Sequence, residues 1–246
     1  LSLHYTAPHW PWETRDDAHL SSDGRANLFH LHGGNIHTYQ RMIHHMDEGI
    51  GQVLNALERV GRLDDTLVVF TSDNGGERFS DNWPLVGGKM DLTEGGIRVP
   101  YIVRWPRALP AGSFTAQQAI TMDWAVTMFD IAGAHPDAAF PLDGRSLLAV
   151  LRDPEAGFHR ELFGRMKDRG QKALRDGPWK YLAIDQHEYL FDLSQDERER
   201  LDQARRQPAR LADMRSRWDA WNATMAPIPE DAKSILVYTE ADMPGR

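Results

Sequence analysis

Apolar positions recur at helical spacing in one long stretch and at strand spacing in several short ones. Across residues 39–60, Met42, Met46, Ile50, Val53, Leu54, Leu57 and Val60 fall on one face of a helix. Gly61 follows, where a helix is ended by a left-handed residue. After a turn over residues 62–65 comes Thr66-Leu67-Val68-Val69-Phe70-Thr71, an apolar run rich in β-branched residues that predicts a buried strand. Helix, short loop and strand in that order are half of a βαβ unit and argue for a parallel sheet. Residues 1–6 alternate apolar and polar side chains and predict another strand, stopped by the prolines of Ala7-Pro8-His9-Trp10-Pro11. Residues 99–105 predict a further strand. Residues 121–132 predict a helix ended by Gly133, and residues 147–151 a short apolar one.

Beyond residue 153 the pattern changes. Residues 162–166, 172–175, 179–184 and 189–193 are short strand-like runs, and Asp176-Gly177 between two of them is a hairpin signal. Tight turns between successive strands argue for a small antiparallel sheet. Residues 197–221 are charged and helical in pattern, split by Pro208, with Arg198-Glu199-Arg200 read as a solvated face. The tail from residue 226 reads as irregular. The fold class expected is α/β: part of a mainly parallel sheet flanked by helices over residues 1–153, then a small antiparallel sheet and helix subdomain over residues 154–246.

The chemistry gathers where strands end. Ser72-Asp73-Asn74-Gly75-Gly76 closes the central strand, and ligands of open α/β sheets bind at that edge. A carboxylate beside an amide carbonyl offers hard oxygen donors, suited to Ca²⁺ or Mg²⁺. The alternative is a plain Asx turn. Gly87-Gly88-Lys89 brings a lysine onto a flexible backbone, with a solvated surface lysine as the alternative. It lacks P-loop spacing. His9 is held in a proline-stiffened loop, where packing against Trp10 competes with a functional role. Residues 13–38 form a long polar excursion in which His30, His32 and His37 are a second, weaker metal candidate. Arg98 reaches either an anion or an internal carboxylate.

Composition narrows the classes. The chain has 246 residues, 41% hydrophobic and 26% charged, which suits a globular protein with a real core. A net charge of -8 argues against nucleic acid and against adhesion to an anionic membrane. No apolar run is long enough to span a bilayer, no signal peptide is visible, and localisation is not legible. There is no cysteine, so disulfides and thiolate metal sites are excluded.

Taken together and in order, the motifs at His9, at Asp73-Asn74, at Gly87-Gly88-Lys89 and at Glu94-Gly95-Gly96-Ile97-Arg98-Val99-Pro100 resemble the sulfatase family, within the alkaline phosphatase superfamily. The resemblance covers the family's C-terminal half. It implies sulfuric ester hydrolysis of a small anionic sulfate ester. Asp73 and Asn74 would be ligands of Ca²⁺, with Mg²⁺ the alternative. Lys89 would neutralise the sulfate, and His9 would contact it or protonate the leaving group. The family's nucleophile is a formylglycine hydrate made from cysteine, or a serine in some members, in a half with no counterpart here. The expectation is therefore a fragment, inactive alone, that works with a missing N-terminal half carrying formylglycine. Two other readings stay open. One is a phosphoesterase or phosphonate hydrolase of the same superfamily, whose metal sites use more histidine. The other is a noncatalytic binding module with the same fold.

Overall fold

The computed structural model describes residues 1–17, 19 and 33–232. His30, His32 and the last part of the tail lie outside the described residues. The chain packs into two compact units. Among the described residues, one takes residues 1–17, 19, 33–66 and 77–81, and the other takes residues 67–76 and 82–232.

In the first unit, helix α1 spans Ile36–Arg59. It starts at Asn35, whose side chain accepts from the backbone N–H groups of His37 and Thr38 at 2.9 and 3.0 Å. Gly61 ends it at φ +67°, with the Arg62 N–H donating to Leu57 O. Of the expected apolar face only Met42 is buried, and Val60 is exposed. Trp12 is a second buried apolar anchor of this unit, 2% exposed and edge-on to Phe79 at 5.0 Å. Residues 1–6 do not form the strand that their alternation predicts, and Leu1, Leu3 and Tyr5 are exposed. An alternating segment becomes a strand only when another strand takes up its backbone groups, and none among the described residues does.

In the second unit, β1 (Val68–Thr71) pairs with β2 (Tyr101–Arg104), Val68 opposite Arg104 and Thr71 opposite Tyr101. The pairing is antiparallel, so the parallel arrangement expected for this region is corrected. A parallel return usually runs through a crossover helix. The connection here carries only the single-turn helix α2 (Glu94–Ile97). Helices α3 (Asp123–Ala132) and α4 (Leu148–Arg152) follow. Trp124, Leu147 and Val150 make a core against Leu67, Val69, Tyr101 and Val103. Gly133 ends α3 at φ +61°.

Strands β3 (Glu161–Met166), β4 (Gln171–Asp176), β5 (Trp179–Ile184) and β6 (His187–Asp192) form an antiparallel sheet in sequence order. The β4–β5 hairpin turns at Gly177, φ +53°. Helix α5 (Pro208–Ala223) lays Met214 and Trp218 on Leu174, Tyr181 and Leu190. The helix begins only at Pro208, which suits a first helical position. Residues 197–207, expected to be helical, form turns. The mixed α/β class stands, as small antiparallel sheets with helices. No helix among the described residues is long and apolar enough to cross a membrane.

Candidate functional site

The loop after β1 is built on glycine pairs. The Gly75 N–H donates to Gly96 O at 2.8 Å, and the Gly95 N–H to Val86 O at 2.8 Å. The Lys89 N–H donates to Gly76 O at 3.0 Å. Asn82 closes the assembly: its Oδ1 accepts from the Gly76 N–H at 3.1 Å, and its Nδ2 donates to Gly76 O at 3.1 Å and Gly87 O at 3.0 Å. Asp91 Oδ2 accepts from the Gly88 N–H at 3.1 Å. Backbone here lies against backbone. A Cβ on Gly75 would sit 1.8 Å from Gly95 O, and one on Gly96 would sit 2.1 Å from Asp91 O. Only glycine permits that approach. Gly75-Gly76, Gly87-Gly88 and Gly95-Gly96 thus form one cradle, which brings the Asp73-Asn74 loop and the Lys89 loop together.

Within it Asp73 is exposed, while Asn74 and Lys89 are half-buried. Asn74 Nδ2 donates to Gly75 O at 2.9 Å, which fixes the amide so that its oxygen is the remaining acceptor atom. Ser72 Oγ donates to Asn74 O at 2.9 Å and tightens the turn. Carboxylate and amide oxygens are the right donors for a hard cation. They do not complete a shell, since such a cation takes about 6–8 oxygens. No group of three or more His, Cys, Asp or Glu able to hold a metal occurs among the described residues.

His9 belongs to the other compact unit. Its N–H donates to Thr6 O at 2.8 Å, its Nδ1 donates to Trp10 O at 2.6 Å, and its ring tilts on Trp10 at 4.9 Å. His9 thus packs against Trp10, the contact that the sequence offered beside a functional role. Arg98 Nη1 lies 3.7 Å from Glu197 Oε2, a carboxylate partner of the kind expected.

The residues behind the cradle were not legible in the pattern. Lys180, the second residue of β5, is completely buried. Its Nζ lies 2.9 Å from Glu94 Oε1 and 2.7 Å from Glu199 Oε1. Glu199 Oε2 also accepts from the Glu94 N–H at 2.7 Å. Glu199 is therefore buried, not part of a solvated face. Burial pushes its carboxyl up against the opposing pull of Lys180. The available signal was the strand alternation, which puts Lys180 on the same face as Leu182 and Ile184. A lysine there needs a buried carboxylate.

Comparisons with known proteins follow the same lines. The Sulfatase family model matches residues 1–134. Mouse steryl-sulfatase is 40% identical over 157 residues, 59% of this chain and 24% of that protein. Human N-acetylgalactosamine-6-sulfatase is 31% identical over 159 residues, 62% of this chain and 28% of that protein. The solved structure of Ps i-CgsB superimposes with a TM-score of 0.74 at 30% identity, over 88% of this chain and 48% of that one. The same protein has been solved in complex with k-i-k-neocarrahexaose. This chain thus spans about a quarter of the curated relatives it matches, and about half of that structure. A family match over more than half the sequence, on a fold that these solved structures share, makes this chain a member of the sulfatase family.

Proposed function

We propose that this chain is the part of a sulfuric ester hydrolase that grips the sulfate group of a small anionic sulfate ester. The observation that carries this reading is the glycine cradle, which joins the Asp73-Asn74 loop to Lys89 through the Lys89 N–H bond to Gly76 O. Asp73 and Asn74 would hold Ca²⁺, with Mg²⁺ the alternative, and the remaining ligands would come from residues outside this sequence. A cation there supplies positive charge to sulfuryl oxygens. Lys89 adds a second positive charge to the same oxygens, which gain negative character as the ester bond breaks. His9 is assigned to sulfate contact or to protonation of the departing alkoxide. The nucleophile is assigned to a formylglycine in an N-terminal half outside this sequence. On this reading the 246-residue chain is inactive until that half is restored. Against the noncatalytic alternative, the reading is supported by a cradle in which the Lys89 N–H bonds Gly76 O, two residues past Asn74.

The test uses the complete protein. Lys89→Ala is expected to lower kcat/KM for an aryl sulfate by on the order of 10²- to 10³-fold, the usual cost of one charge-stabilising donor. Asp73→Ala is expected to weaken Ca²⁺ binding in calorimetric titration and to remove activity while the thermal transition stays in place. His9→Ala should cost more for poor leaving groups than for good ones. Equal loss across that series assigns His9 to binding. Full turnover by Lys89→Ala, or by Asp73→Ala depleted of metal, would sink the proposal.

A further inference from the structure

The cradle is not self-supporting. Its glycines contribute no side chains, and the single turn of α2 is too short to hold itself. Two sets of side chains, on the antiparallel sheet and in the turns that follow it, take hold of it. Gln171, at the start of β4 and 1% exposed, uses both ends of its amide. Its Nε2 donates to Met90 O at 2.9 Å, and its Oε1 accepts from the Leu92 N–H at 2.8 Å. Met90 directly follows Lys89 and stands at φ +74°, a conformation a non-glycine residue keeps only when its surroundings impose it. The second hold is Lys180 on β5, with Glu94 and Glu199. Glu94 directly precedes Gly95-Gly96, on whose carbonyl Gly75 is pinned.

From this geometry we infer that Gln171, Lys180 and Glu199 are positioning residues. They set the places of Lys89 and of the Asp73-Asn74 loop for the reaction proposed above, and the inference rests on that reading for its consequence in catalysis. The chemistry of the groups favours positioning over plain stability. A buried ammonium is expensive to desolvate, and ion pairs of this kind often add little net stability compared with apolar side chains. They do restrict geometry. Lys180 Nζ is held between two carboxylates, and Glu199 is held between Lys180 and a backbone N–H. Arg175 Nη1, 3.6 Å from Glu94 Oε2, balances the second carboxylate. Shifting Glu94 would break contacts on both sides at once. A primary amide gripping a donor and an acceptor two residues apart restricts Met90 and Leu92 in the same way.

The test is amide hydrogen exchange on the complete protein, joined to steady-state kinetics. Glu199→Ala removes the acceptor for the Glu94 N–H and one partner of Lys180. Glu199→Gln keeps the acceptor and the volume. Gln171→Leu removes the grip on Met90 and Leu92. In Glu199→Ala, peptides containing Gly75 and Gly95 should exchange at least tenfold faster. In Gln171→Leu the peptide containing Lys89 should do so. Peptides over β4–β5 that contain Leu174 and Leu182 should keep their protection in both. Glu199→Gln should recover most of the protection, and kcat for a sulfate ester should fall and recover in parallel with the cradle peptides. If Glu199→Ala and Gln171→Leu accelerate cradle and sheet peptides equally, or leave the cradle unchanged, the positioning role is overturned. Exchange needs no turnover. A protein that hydrolyses no sulfate ester yet shows selective loosening contradicts the proposed function and still supports the hold on the cradle.

Discussion

Gly75→Ala is expected to open the cradle. The new methyl would stand 1.8 Å from Gly95 O, 2.7 Å from the Gly95 carbonyl carbon and 2.9 Å from Gly96 Cα. All of these are backbone atoms, so no side chain can swing aside. Relief must come from separating the two loops, which breaks the Gly75 N–H bond to Gly96 O. Overpacking of this kind costs about 1–3 kcal/mol. A displacement of about 1 Å in a group that positions substrate costs on the order of 10²-fold in rate. Thermal unfolding and turnover of the complete protein should therefore both fall. Gly51→Ala is the matched comparison. Gly51 lies inside α1 with open space where its Cβ would be, so alanine there should stabilise by about 1 kcal/mol. Unchanged melting and turnover in Gly75→Ala would contradict the close approach of the two loops.

The second large effect lies away from the cradle. Asp123 is completely buried at the start of α3 and serves three donors. Arg160 Nη1 donates to it at 2.5 Å, the Ile120 N–H at 2.8 Å and the Arg145 N–H at 2.9 Å. Arg160 is itself only 8% exposed. Asp123→Ala would strand a buried guanidinium and two backbone donors. Breaking one side of a buried pair costs about 3–5 kcal/mol. For a chain of this size that corresponds to a drop in Tm of about 6–20 °C. The double variant Asp123→Leu with Arg160→Met should recover part of the loss, because an apolar pair replaces both charges. A single variant that melts within a degree of the parent would show that the pair is not holding α3. The same neighbourhood shields Tyr101, whose hydroxyl burial pushes well above the ordinary phenol range.

Local signals carried much of this structure. The stripe from Met42 to Leu57, the stop at Gly61 and the Asp176-Gly177 hairpin have short-range causes, and the elements appear within a few residues of where those causes put them. The short Gly-Gly motifs pointed to Asp73, Asn74 and Lys89, and the backbone contacts among them join those loops. What failed was non-local. Residues 1–6 alternate like a strand, but alternation does not supply a pairing partner. The direction of β1 against β2 depends on the path of the long connection, which no periodicity reports. Glu199 sits in a run of alternating charges that looks solvated, yet one of its members is buried by a lysine from a distant strand. Asn82 stands in a polar loop and is a bridge only because Gly76 and Gly87 come to meet it. Partnerships across long sequence separations decide the first three cases, and at Asn82 the fold of a short loop does; the composition of either partner alone shows neither.

The most direct measurement is hydrolysis by the complete protein of a matched pair of aryl esters, one sulfate and one phosphate, with and without Lys89→Ala. Faster turnover of the sulfate, lost when Lys89 is replaced, is the expected result. Faster turnover of the phosphate, or sulfate turnover that does not depend on Lys89, would contradict the assignment of the glycine cradle to sulfate.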